Sequence, residues 1–243
     1  MSAERFPVPG YAAGTLPAAL YPADPARDLR RLLLLAHGAG AGHASPWMVE
    51  MATGLAARGL TVVTFNFPYM EGRRRVPDRP PVLEDAFARA IDAARARPDV
   101  PPGAPAIGGK SMGGRIATYV ATARADLAGV VAFGYPLRPP GARAGARPPD
   151  RASHLARLQA PLLVVQGTRD AFGGPADIAA AAPAGTPLTI VEVEGGDHSL
   201  KVPARAPRPQ AEVNQAVWEA VAAFLSRASA GAPPPRRGAA PGD

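Results

Sequence analysis

Cysteine is absent from this chain of 243 residues, which excludes disulfide staples, a thiolate nucleophile and any cysteine-ligated metal. Lysine is nearly absent too. Lys110 and Lys201 are the two that occur, and arginine carries the rest of the positive charge. No run approaches 18 apolar residues, and Met1 to Gly14 lacks the apolar segment of a signal peptide. A soluble, cytoplasmic protein without membrane insertion is therefore expected. The net charge of +7 invites a nucleic-acid reading. However, Arg73-Arg74-Arg75 and Arg236-Arg237 are neither interleaved with aromatics nor set in a recognition motif. We expect no nucleic-acid partner and a solvated basic surface. A preference for anionic substrates stays open, because Arg73 to Arg75 follow a strand whose end should face the site.

What is present is an alternation of apolar and amphipathic runs, and the length suits one large α/β domain. Strands are expected at residues 32–36, 61–66, 105–108, 129–133, 162–166 and 187–193, and helices at 46–58, 82–97, 114–124, 175–182 and 212–227. The first helix has Ser45 as its N-cap and Pro46 at its first position. The second places Leu83, Phe87, Ala90, Ile91 and Ala94 on one face. Such alternation predicts a mostly parallel, doubly wound sheet flanked by helices, with right-handed crossovers. One domain is expected over residues 1–228, with residues 1–30 irregular or forming an edge hairpin limited by Pro7, Pro9, Pro17 and Pro22. Residues 229–243 read as a disordered Pro/Arg-rich tail. Residues 135–150 read as a rim loop, too short to be a separate lid domain.

Gly109-Lys110-Ser111-Met112-Gly113 has the form of a nucleophile elbow. Its small residues two before and two after the serine permit a sharp strand-to-helix turn. One alternative competes. From Ala104 to Ser111 the chain is one residue from a phosphate-binding loop, with Ala104 where the first glycine belongs. Residues 105–107 look like strand, which leaves too little chain for that arc. Partners for the serine are sought at the carboxyl ends of the strands. Asp170 follows the strand 162–166 and His198 follows 187–193, with Asp170 59 residues after Ser111 and His198 28 after Asp170. The order Ser, Asp, His differs from the chymotrypsin and subtilisin orders. Asp197 is expected to hold the turn before His198.

An oxyanion site is expected where the strand 32–36 runs into His37-Gly38-Ala39-Gly40-Ala41-Gly42. The N–H near Ala39 would join that of Met112. His37 and His43 are expected to orient this loop by hydrogen bonds. In this chemistry His198 takes the Ser111 proton while Asp170 orients the imidazole, and no cofactor or metal is required.

These residues belong to a wider set: Phe67-Pro-Tyr-Met70, Gly108 to Arg115, Gly134-Tyr-Pro-Leu137, His154-Leu155, Gln166 to Asp170 with Phe172-Gly173, and Asp197-His198 with Leu200-Lys201. The set resembles the small dienelactone-hydrolase-like α/β hydrolases that share a domain with testis-expressed protein thirty and a subunit of the non-specific lethal histone acetyltransferase complex. Arg138 and Ser199 depart from the family pattern, which often has histidine and an acidic residue there. The resemblance implies a lidless α/β-hydrolase fold and places nucleophile, acid and base on Ser111, Asp170 and His198. His37, Phe67, Tyr69 and Tyr135 are expected to line the substrate, and Arg115 and His154 to line or support the site. The expected partner is a small-molecule ester or thioester. A catalytically silent scaffold of the same fold is the alternative function, and the oligomeric state is left open.

Overall fold

The run Arg31-Leu-Leu-Leu-Leu-Ala36 has no polar residue after its arginine, and it forms a strand, β3 (Arg31–Ala36), buried at every position from Leu32 on. A strand of that kind needs both faces covered. In the computed structural model, which describes residues 3–11, 14–139 and 150–227, it lies near the middle of an eight-stranded sheet. Its companions are β1 (Glu4–Tyr11), β2 (Gly14–Tyr21), β4 (Leu60–Phe65), β5 (Ala106–Lys110), β6 (Gly129–Phe133), β7 (Leu162–Gly167) and β8 (Leu188–Val193). The order is β1-β2-β4-β3-β5-β6-β7-β8. β1 and β2 form an antiparallel hairpin, β2 pairs antiparallel with β4, and the pairs from β4/β3 to β7/β8 are parallel.

The period of two along the strands divides their side chains between two cores. Leu32, Leu34, Ala36, Val130, Ala132, Leu162 and Val164 face one of them. There they meet α3 (Pro80–Arg95) and α4 (Met112–Thr122), which contribute Leu83, Phe87, Ala90, Ile91, Ile116 and Ala117. Leu33, Leu35, Val131, Phe133, Leu163 and Val165 face the other, against α1 (Pro46–Ala56) and α6 (Gln210–Arg227). Each fully buried side chain of this size contributes roughly 1.5–3 kcal/mol. Helices on both faces of a mostly parallel sheet make this a doubly wound α/β architecture, and no separate lid domain is inserted among the described residues.

The elements differ from the sequence expectation mainly at their ends. β5 continues to Lys110, and α4 starts at Met112 instead of residue 114, because the Ser111 carbonyl already accepts the Arg115 N–H at 3.0 Å. α3 starts at Pro80, since first-turn positions need no N–H donor. Ser45 is the N-cap of α1, yet its side chain makes no capping bond. α2 (Pro68–Glu71) and a 3₁₀ turn, Ser153–Arg157, were too short to show a period. α5 (Pro175–Ala181) agrees within one residue. The prolines do not prevent the N-terminal hairpin, although its register shifts between Val8 and Tyr11. The expected tail, residues 229–243, and residues 140–149 of the rim loop lie outside the described residues. Among the described residues, no helix is long and apolar enough to cross a membrane.

The chain reverses direction across the sheet between β3 and β5, and Ser111 follows β5 at this switch point. Phe87 anchors the core below it, with its ring 5.0 Å from Phe65 and 6.4 Å from Phe67. Phe87→Ala is expected to cost about 3–5 kcal/mol in urea denaturation. Val76→Ala, at a position 75% exposed, should stay within about 0.5 kcal/mol of wild type.

Candidate active site

Ser111 stands at the end of β5 with φ 51° and ψ −115°, a conformation that side-chain-bearing residues seldom adopt. Two features hold it there. Its N–H donates to the Phe133 carbonyl at 2.8 Å, and its carbonyl starts α4. The glycines two before and two after it both press on the end of β3. A Cβ at Gly109 or Gly113 would run into the Ala36 carbonyl oxygen. This arrangement contradicts the phosphate-loop alternative, since residues 106–110 are strand instead of an arc around an anion.

Three of the residues singled out in the sequence meet here. His198 Nε2 lies 2.8 Å from Ser111 Oγ, and His198 Nδ1 lies 2.8 Å from Asp170 Oδ2. An ionised carboxylate can only accept, so Nδ1 carries the proton and Nε2 presents a lone pair to the serine hydroxyl. The Asp170 side chain is fully buried, while 22% of the His198 side chain is exposed. The carboxylate is thus shielded, and the imidazole is open to solvent. Asp170 Oδ1 also accepts the Phe172 N–H at 2.8 Å, and the Phe172 ring packs edge-on against His198 at 4.3 Å.

Gln166, at the end of β7, ties these parts together and had no assigned role in the sequence reading. Its Nε2 donates to Asp170 Oδ2 at 2.9 Å and to the Gly173 carbonyl at 2.6 Å, while its Oε1 accepts the Tyr135 N–H at 2.7 Å. A fully buried amide closing an otherwise apolar strand was the available signal. Lys110 has a second such role. Its Nζ donates to Ser199 Oγ at 2.9 Å and sits 4.8 Å from the Trp47 ring centroid, while Trp47 Nε1 donates to the Ser199 carbonyl at 3.0 Å. Burial lowers the Lys110 pKa, and the charge of Asp197 opposes that shift. Asp197 itself holds the turn, accepting the N–H groups of Ser199 and Lys201 on one oxygen.

The loop after β3 is built around His37. Its Nδ1–H donates to the Gly38 carbonyl at 2.8 Å, and its Nε2 accepts the Phe67 N–H at 3.0 Å. Both bonds need the neutral ring, and burial lowers its pKa to about 4. Tyr69 Oη also reaches the Gly38 carbonyl, at 3.5 Å. Because a trans peptide directs its N–H opposite to its C=O, pinning this carbonyl inward turns the Ala39 N–H the other way. Gly38 is also where an added Cβ would lie 3.6 Å from Ser111 Cβ, so the loop runs beside the serine. Met112 opens α4, and its N–H has no partner within the helix.

The residues expected to line the substrate are buried. His37 (0%), Phe67 (0%), Tyr69 (0%) and Tyr135 (1%) have almost no exposed surface. Their polar atoms are spent on the framework, with Tyr135 Oη donating to the Arg151 carbonyl at 2.5 Å. His43 bonds Thr64 Oγ1 at 3.1 Å, and His154 bonds Thr118 Oγ1 at 2.8 Å. Arg73 to Arg75 are exposed beyond α2, with Arg74 paired to Asp78.

Residues 29–226 match the family model described as an alpha/beta hydrolase domain. The chain belongs to that family. Solved α/β hydrolases share its fold at low sequence identity. A dienelactone hydrolase from Anabaena variabilis superposes with a TM-score of 0.70 at 20% identity, over 93% of this chain and 97% of that one. A serine hydrolase without lid from Xanthomonas campestris gives 0.64 at 17%, over 96% and 97%. Esterase 2 of Thermogutta terrifontis, phosphoramylated by tabun, gives 0.68 at 18%, over 93% and 94%. No curated protein matches this α/β hydrolase in sequence.

A pH dependence follows from the buried imidazoles. Burial lowers the pKa of both His37 and His154 to about 4, and for His154 the charges of Arg157 and Arg115 add to the effect. Unfolding releases these rings to titrate near 6.5. Their stabilisation is therefore complete above about pH 6.5 and is lost as pH falls toward about 4. The urea midpoint should decline across that window, less steeply in His154→Asn; a midpoint independent of pH there would contradict this reading.

Proposed function

We propose that this α/β hydrolase is a serine hydrolase that cleaves a carboxylic ester or thioester through an acyl-enzyme on Ser111. The observation that carries the reading is the unbroken pair of hydrogen bonds from Ser111 Oγ through His198 to the buried Asp170 carboxylate. As Oγ attacks the acyl carbon, its proton passes to His198 Nε2, and Asp170 stabilises the imidazolium on the Nδ1 side. The developing oxyanion is received by the N–H groups of Ala39 and Met112. The tetrahedral intermediate collapses, the acyl–oxygen or acyl–sulfur bond breaks, and the leaving group takes the Nε2 proton. Water, deprotonated by the same nitrogen, then attacks the acyl-enzyme and frees the acid. These steps call for no cofactor or metal.

The strained backbone of Ser111 supports this reading, because a scaffold has no use for a serine held at positive φ against a histidine. Within the family, the motifs from Phe67 to Lys201 favour the small dienelactone-hydrolase-like branch that shares a domain with testis-expressed protein thirty and the non-specific lethal complex subunit. A small-molecule substrate and a cytoplasmic location go with that placement.

Organophosphorus reagents trap such a nucleophile, and the Thermogutta esterase of the same fold is modified by one. A fluorophosphonate probe should label the wild-type protein and spare Ser111→Ala. Hydrolysis of p-nitrophenyl butyrate should fall by about 10³-fold or more in Ser111→Ala and His198→Ala, and by a comparable factor in Asp170→Asn. Labelling that persists without Ser111, or the absence of ester turnover in wild type, would sink the proposal.

A further inference from the structure

The two edges of the sheet are built differently. β1, at one end of the strand order, carries Pro7 and Pro9, and its pairing with β2 slips between Val8 and Tyr11. Both features discourage a further strand from adding on that side. β8, at the other end, reads Leu188-Thr-Ile-Val-Glu-Val193, without proline, lysine or arginine. Its register with β7 is unbroken from Leu188 to Val193. Among the described residues no strand pairs with its outer side.

The ladder decides which backbone groups face outward, because successive residues of a strand turn them to alternate sides. The carbonyls of Pro187 and Val193 accept the N–H groups of Leu162 and Thr168 at 2.8 and 3.0 Å, so odd-numbered residues of β8 face β7. Leu188, Ile190 and Glu192 therefore present theirs to the outside. The Leu188 N–H is satisfied locally, by the Thr186 carbonyl at 2.7 Å. Leu188, Ile190 and Val191 are partly buried against the two cores. Beside the strand lies a groove of about 260 Å³ lined by Val191, Val193, Ala206, Val213 and Val217. A straight, half-covered apolar edge of this kind is a template for strand addition.

We propose that the occupant is a second copy of this chain, paired antiparallel through β8 about a two-fold axis at Ile190. Each Ile190 then exchanges both backbone bonds with its mate, and each Glu192 N–H reaches the Leu188 carbonyl of the second copy. Charge selects this register. Glu192 lies opposite neutral Leu188 of the second copy, and the two Glu192 positions are roughly 13 Å apart along the ladder. An axis at Val191 would set them on a diagonal of about 7–8 Å, where like charges repel. The charged residues at the Val193 end of the groove, Glu194 and Arg208, meet the uncharged segment 183–187 of the second copy. Because β1 offers no comparable edge, association closes at the dimer.

The chain has no cysteine, so a single introduced thiol reports the contact. Cα atoms of such a hydrogen-bonded pair lie about 5.5 Å apart, within the roughly 4.4–6.8 Å that a disulfide spans. On mild oxidation, full-length Ile190→Cys should become a disulfide-linked dimer, and Val76→Cys, exposed elsewhere, should not. In analytical ultracentrifugation the wild-type protein should sediment at about twice the 24.9 kDa chain mass. Ile190→Pro and Glu192→Pro each remove an outward donor and leave the β7 ladder intact. Both should be monomeric with an unchanged near-UV circular dichroism spectrum. Should a proline variant unfold, the cysteine pair decides. The proposal is overturned by a wild-type monomer at about 100 µM or by an assembly larger than a dimer. A dimer that survives both prolines in folded protein, or Ile190→Cys linking no more than Val76→Cys, overturns it equally.

Discussion

Everything at the site depends on how closely the backbone of β5 and α4 approaches the end of β3. Gly109 and Gly113 rest on the Ala36 carbonyl, where no side chain fits. That approach makes the turn between them sharp enough to put Ser111 at φ 51°. Such a residue stores about 1–3 kcal/mol of strain, which two cores packed against opposite faces of the sheet can offset. The contact that strains the serine also brings Gly38 against its Cβ. One packing constraint therefore sets both the hydroxyl and the backbone donors beside it.

Asp170 and His198 are placed by a different device, a desolvated polar network. Gln166 spends both ends of its amide, one on the carboxylate and the Gly173 carbonyl, the other on the backbone after β6. Asp170 collects three donors, from His198, Gln166 and Phe172. A buried carboxylate satisfied in this way is held in place by its surroundings. Gly167 and Gly134 complete the arrangement, since a Cβ at either would strike the backbone between Gly196 and His198. The histidine loop is seated on the ends of β7 and β6.

Much of this was legible in the sequence. Strands buried on both faces appear as unbroken apolar runs such as Leu32 to Ala36, and the α3 stripe from Leu83 to Ala94 shows the helical period. The turn after β5 announces itself through Gly109, Ser111 and Gly113, and Asp170 and His198 through their places just past strand ends. What stayed hidden is non-local. Nothing in Phe67 or Tyr69 tells whether an aromatic after a strand faces a ligand or the underside of a loop, because that depends on how the His37 loop folds over it. α2 and the 3₁₀ turn at Ser153 are shorter than the period that would reveal them.

The bond from Lys110 to Ser199 joins the residue just before Ser111 to the residue just after His198. With Trp47 placed against both partners, it fastens the end of β5 to the loop after β8. The donor and acceptor of the central hydrogen bond consequently sit on two segments that are joined twice. Fluctuations that lift the histidine loop must break an ammonium–hydroxyl bond as well as the imidazole–serine one. The Ser111–His198 hydrogen bond is thereby backed by a second link between the same two segments, made by one of the two lysines in the chain.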